Sequence, residues 1–171
     1  MLRPEELPPI PSRLRDMMEA IESDIAKLVR IVCVEEGVPI AKLELYIPNY
    51  FEEGRVVPAE VLFEKGVIRA KWPPNLPAII EALYYWCQWW EKGPEAVRDR
   101  YKEWLEIRSK PYFLDGFSTW GEEKTEDAVI FATRVKRRHY EFWKKIDTEI
   151  SEANKMFIDW FWKKVLGGKW P

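Results

Sequence analysis

The chain has 171 residues, of which 47% are hydrophobic, 33% charged and 15% aromatic, and its formal net charge is -2. This composition excludes a disordered chain and fits one globular domain with a sizeable core. The near-neutral balance disfavours a protein that grips duplex nucleic acid through many phosphates, and leaves only local basic patches for that role.

Residues 1–11 carry Pro4, Pro8, Pro9 and Pro11 and read as an extended arm. The opening MLRPEELPPIP lacks the apolar core of a signal peptide, and no run of about 18 apolar residues occurs. An intracellular, cytoplasmic setting without a membrane span is therefore expected. Ser12 is placed to cap a helix whose Leu14, Met17, Met18, Ile21, Ile25, Leu28, Val29 and Val32 share one face. Gly37 and Pro39 end it. Lys42–Ile47 alternates, with Leu43, Leu45 and Ile47 on one side, and Pro48 closes that strand. Ala59–Phe63 and Val67–Trp72 flank Glu64-Lys65-Gly66, the pattern of a β-hairpin.

Trp72-Pro-Pro-Asn-Leu-Pro77 is a rigid connector. Asn75 is placed to cap a helix over 76–92, with Pro77 in its first turn. Gly93-Pro94 closes that helix. Glu95–Arg108 forms another, with Val97, Tyr101, Trp104 and Leu105 on one side, and Lys110–Ser118 is a loop. Residues 124–166 contain neither Gly nor Pro. Their stripe of Ala128, Ala132, Val135, His139, Phe142, Ile146, Ile150, Ala153, Phe157 and Trp160 steps by three and four. One helix over that span would reach roughly 60 Å. It is expected either to break, near Asp147-Thr148, or to project and pack on another chain. The fold class is thus α+β: an N-terminal helix, a small, mostly antiparallel three-stranded sheet, and a helical C-terminal half with a long last helix. Residues 1–11 form the arm, 12–155 the single domain, and 156–171 an aromatic and basic C-terminal segment.

Several chemistries are excluded by what is missing. There is no GxGxxG, no GxxxxGK[ST] and no GxSxG, and the one histidine, His139, sits on an apolar stripe where a core role is expected. Cys33 and Cys87 form no CxxC and no Cys/His cluster, so no structural zinc is expected. Two buried thiols are the favoured state, with a Cys33–Cys87 bridge as the alternative. Glu122, Glu123, Glu126 and Asp127 open the last helix, where acidic side chains complement the helix dipole. A hard-metal site would require these carboxylates to meet Glu81 in a cleft. Gln88 is the single glutamine, and asparagine occurs only at 49, 75 and 154, while charges of both signs abound. That is the composition of a protein from a hot environment.

The stretch Ile79-Ile-Glu-Ala-Leu-Tyr-Tyr-Trp-Cys-Gln-Trp-Trp90 packs aromatics into a turn and a half of helix. Together with the order helix, hairpin strands, Pro-rich connector, helix, loop, long helix, it resembles small zincin-like metallopeptidase domains over residues 12–138. In those domains HExxH follows a lead-in like Ile79-Ile80-Glu81-Ala82-Leu83-Tyr84. The resemblance places Tyr85 and Trp89 at the two zinc-ligand positions and Trp86 at the base position. It also aligns Asp127-Ala128-Val-Ile-Phe131-Ala132 with a later-helix motif that supplies a third ligand. Trp cannot ligate zinc, and an indole is no general base. The resemblance therefore implies a pseudoenzyme scaffold without metal or cofactor, used for binding.

Two further features bear on partners. Met156–Pro171 joins Trp160, Trp162 and Trp170 to Lys163, Lys164 and Lys169, which suits a protein partner or self-association better than a membrane surface. Arg134, Lys136, Arg137, Arg138, Lys144 and Lys145 give the last helix a basic face able to meet phosphates. The leading reading is a non-catalytic binding or structural protein of a thermophilic microbe or of its virus or plasmid, virion association included. It would self-associate through the C-terminal helix. Nucleic-acid binding through 134–145 is the alternative.

Overall fold

The computed structural model describes residues 9–47, 57–109, 122–165 and 167. Helix α1 (Ser12–Glu36) is followed by strands β1 (Lys42–Tyr46), β2 (Ala59–Leu62) and β3 (Val67–Lys71), then by helices α2 (Leu76–Lys92), α3 (Pro94–Arg108), α4 (Glu122–Arg138) and α5 (Tyr140–Trp160). A single π-helical turn, Phe161–Val165, extends α5. This is the expected architecture of an N-terminal helix, a small three-stranded sheet and a helical second half with a long last helix. Residues 1–8 of the expected arm, the loop 110–118 and Trp170 lie outside the described residues. No described helix is long and apolar enough to cross a membrane.

Local chemistry sets the element ends. Pro11 rather than Ser12 is the N-cap of α1, so Ser12 is the first helical residue; Pro11 is held extended (φ -53°, ψ 140°), and its carbonyl accepts from Arg15 N. At the other end Gly37 adopts φ 69°, and Val38 N and Gly37 N reach back to the carbonyls of Cys33 and Val34. That closes two orphan acceptors, a conformation glycine reaches at little steric cost. Asn75 caps α2 as expected, its Oδ1 accepting from Ala78 N at 3.1 Å, with Pro77 in the first turn.

The sheet order is β1-β3-β2. β2 and β3 are the antiparallel hairpin read from Gly66, which has φ 67°. β1 pairs with β3 in parallel, Leu43 opposite Ile68 and Leu45 opposite Ala70, so the sheet is mixed. β2 thus lies on the far side of β3 from β1, and β3, returning from the hairpin turn, runs alongside β1 in the same direction.

Two blocks of packing share one core. α2 lies against α3, α4 and the hairpin, while α1 lies against α5 and β1. α2 is buried on nearly every face from Leu76 to Cys87. The last helix breaks at His139 (φ -118°, ψ 42°), not at Asp147-Thr148, which lie inside α5. The cause is visible in the packing: α4 follows α2 whereas α5 follows α1, so the chain must change direction between them. Nor is His139 a core residue. Its Nε2 lies 2.7 Å from Glu35 Oε1 at the end of α1, and Arg138 reaches the other oxygen of the same carboxylate at 3.3 Å. The free thiols Cys33 and Cys87 are both buried, and burial raises the pKa of each.

Candidate functional site

The one charge in the aromatic stretch is consumed internally. Glu81 is 2% exposed, and Arg108 and Trp104 of α3 converge on it. Trp104 Nε1 donates to Oε1 at 3.0 Å and Arg108 Nε to the same oxygen at 3.1 Å, while Arg108 Nη2 pairs with Oε2. A two-point guanidinium grip with an added indole bond compensates a carboxylate that would otherwise be strongly disfavoured in a core. The sequence signal for it was a lone carboxylate among apolar neighbours, which requires a buried cation. That the cation is Arg108 depends on how α3 folds back along α2.

The positions singled out by the zincin-like alignment go to different neighbours. Tyr85 is 3% exposed and packs its ring on Tyr101 and Trp104 of α3, each at 5.6 Å. Trp86 turns the other way and donates from Nε1 to the Pro39 carbonyl at 2.8 Å. Trp89 stacks on Phe63 at the hairpin, with centroids 4.2 Å apart. Asp127 stands on the exposed side of α4, 3.5 Å from Arg100 of α3. Its charge contributes to the raised pKa of Tyr84 and Tyr85, in both of which burial is the larger cause. Tyr85 and Asp127 thus share a neighbourhood, whereas Trp86 and Trp89 lie elsewhere. The side chains of Glu122 and Glu123 lie outside the described residues, and no group of three His, Cys, Asp or Glu gathers at metal-binding separation among those described.

Trp89 instead helps floor a groove between the hairpin and α3, about 470 Å³ in volume. Phe63 lies edge-on to Tyr101 at 5.0 Å, and Leu105 continues the apolar floor. Lys65, Arg98 and Lys102 stand on its rim with one acid, Glu64. The Tyr101 hydroxyl is anchored to the outer edge of β2, accepting from Val61 N at 2.7 Å and donating to Val61 O at 3.4 Å. Burial pushes the Tyr101 phenol up to about 12, so it keeps the proton that the second bond needs.

The basic face is partly neutralised. Arg138 is held by Glu35, Lys145 by Asp24 (3.1 Å) and Glu149 (3.5 Å), and Lys136 lies over the Trp143 ring. Arg134, Arg137 and Lys144 are exposed and form no ion pair with a described residue. At the C-terminus Trp160 is 6% exposed and packs on Phe157, so it serves the domain's own core, and Trp162 is half-buried. Of the stripe that was expected to drive self-association, Ile146, Ala153, Phe157 and Trp160 of α5 are buried inside the molecule, while Phe142 and Ile150 are half-buried. Set beside protein-family models, curated proteins and solved structures, the chain matches none of them, and its reading rests on its own residues.

Proposed function

We propose that this chain is a non-catalytic binding protein whose groove between the β2–β3 hairpin and α3 holds a segment of a partner protein. The observation that carries the reading is the pairing of an aromatic floor (Phe63, Trp89, Tyr101) with a rim of three cations against one acid. Aromatic floors with arginine at the margin favour apolar anchors flanked by carboxylates. The occupant is therefore a segment with an aromatic or branched aliphatic side chain between Asp or Glu residues. The proposal extends to a pseudoenzyme on a zincin-like scaffold, with Tyr85 and Trp89 at the two ligand positions of that alignment and Trp86 at its base position. Stoichiometric zinc in the purified protein, measured by elemental analysis, would sink that extension.

The groove is tested with a random peptide library selected against the whole protein. Enrichment of acidic-apolar sequences that lose binding to an Arg98→Glu/Lys102→Glu variant is the expected result. No enrichment, or enriched sequences that bind the variant equally, overturns it.

A second reading, nucleic-acid binding at the α4–α5 junction, is favoured by Arg134, Arg137 and Lys144, three exposed cations that form no ion pair with a described residue. Three phosphate contacts give a salt slope of about -2.7 on duplex DNA, so binding would be weak and short-ranged in salt. Anisotropy with a labelled duplex at low and moderate salt reads this slope, and no binding at low salt ends the reading.

A further inference from the structure

A second cavity, distinct from the groove, lies at the corner where α2 turns into α3. It encloses about 150 Å³ and is walled by Tyr84, Tyr85, Gln88 and Lys92 from α2 and by Ala96, Val97 and Arg100 from α3. Three independent observations converge there. The first is the end of a helix: α3 begins at Pro94 after Gly93, and no side chain caps it. Pro94 has no N–H, so the orphan donors of this first turn are those of Glu95 and Ala96, at the positive end of the helix dipole. The second is charge. Lys92 and Arg100 stand on opposite walls of the cavity; Lys92 forms no ion pair with a described residue, and Arg100 has a single loose one with exposed Asp127.

The third is Tyr85. Its side chain is 3% exposed, yet its hydroxyl makes no hydrogen bond to a described residue, and it is not among the sealed unpaired atoms of the core. The oxygen therefore opens into the cavity. A buried phenol left without a partner is costly, and such hydroxyls normally find one. Burial holds the Tyr85 proton firmly, so at neutral pH the group is a donor. The Gln88 amide, half-buried on the same wall, and Tyr84 add further hydrogen-bonding groups. The acids in the vicinity are Glu91, which accepts from Gln88 at 3.4 Å, Glu95 in the first turn of α3, Asp127, and Glu81, whose charge is already matched by Arg108.

The geometry points to an oxyanion site: a tetrahedral phosphate group, free or at the end of a small phosphate ester, held by Tyr85, Lys92, Arg100 and the first turn of α3. A phosphate accepts hydrogen bonds from several directions at once, which matches donors arriving from two helices and a helix terminus. A planar carboxylate would use fewer of them. Asp127 does not prevent this, because an exposed pair at 3.5 Å is weak and easily exchanged.

The test is a thermal-shift and calorimetric titration of the whole protein with orthophosphate, glycerol phosphate and acetate at matched ionic strength. Wild type is expected to show a saturable rise in melting temperature with one or both phosphates and none with acetate. Tyr85→Phe and Arg100→Gln should each weaken that binding about tenfold, and Lys144→Gln, on another surface, should not change it. Stronger binding of glycerol phosphate marks a phosphate ester as the ligand, and equal binding marks the free ion. Without any ligand, Tyr85→Phe should melt at or above the wild-type temperature, because it removes a hydroxyl that has no partner among the described residues. The proposal is overturned by no saturable effect of either phosphate, by an equal effect of acetate, or by unchanged binding in Tyr85→Phe. A marked loss of unliganded stability in Tyr85→Phe also overturns it, since the hydroxyl would then have an internal partner.

Discussion

Single residues settle what the aromatic stretch is for. Glu81 is the most exacting of them, because its carboxylate is compensated only while Arg108 and Trp104 stay in place. Arg108→Met should destabilise the protein by about 3–5 kcal/mol, since it leaves a buried charge without its cation. Glu81→Gln combined with Arg108→Met keeps an acceptor for Trp104 and removes both charges, so it should lose clearly less than the single variant. Chemical denaturation at neutral pH compares the two, and equal losses would show that the ion pair is not what matters. The sequence told part of this. The lone carboxylate between Ile80 and Ala82 was read only as a possible metal-cleft residue, although a charge among apolar neighbours is the signal for a buried partner, and nothing in the spacing identified Arg108. The Tyr85 cavity was less legible still, because its walls come from the end of one helix and the start of the next, and a helical wheel of either alone shows only one of them.

At the scale of elements, the sheet is finished by helices. The outward N–H of Leu45 on β1 donates to Glu22 of α1 at 2.9 Å, and the outward groups of Val61 on β2 meet the Tyr101 hydroxyl of α3. Open strand edges invite pairing with other chains, and these side chains close both sides of a three-stranded sheet. Tyr101→Phe should cost about 1–3 kcal/mol by leaving buried edge groups unpaired. Native-state hydrogen exchange should speed up at Val61 in Tyr101→Phe and at Leu45 in Glu22→Ala, each without the other. Acceleration spread evenly over the sheet in either variant would mean global loosening instead. The helices, the hairpin and the Asn75 cap were legible because periodicity and turn residues are local signals. The parallel β1–β3 pairing was not, since strand neighbours depend on where a connection travels. The break at His139 was hidden for a related reason: the apolar stripe runs straight through it, and only the change of packing partner from α2 to α1 demands a bend.

At the scale of the molecule, the α1–α5 seam is where the protein should feel pH. Glu149 faces Asp24 and Lys145 there, and its carboxyl pKa is raised by burial first and by Asp24 next, with Lys145 opposing. A raised native pKa means that the folded state holds the proton more tightly than the unfolded one. The stabilising contribution is then present below the unfolded carboxylate pKa and is lost as pH rises through the folded value. At neutral pH the ionised Glu149 weakens the seam. Glu149→Gln should accordingly gain about 0.5 kcal/mol at neutral pH, with wild type closing the gap as the solution is acidified through the carboxylate range. A gain that persists unchanged in acid would point to a cause other than ionisation. The two sheet latches carry a consequence in time rather than in energy. They join residues 23 and 40 positions apart in sequence, so neither can close until a whole helix has arrived. During folding the strands pass through an interval in which their edges are bare, and that interval ends only when α1 and α3 have docked. During unfolding the order runs backwards: departure of α3 uncovers the rim of β2 while the hairpin itself is still intact.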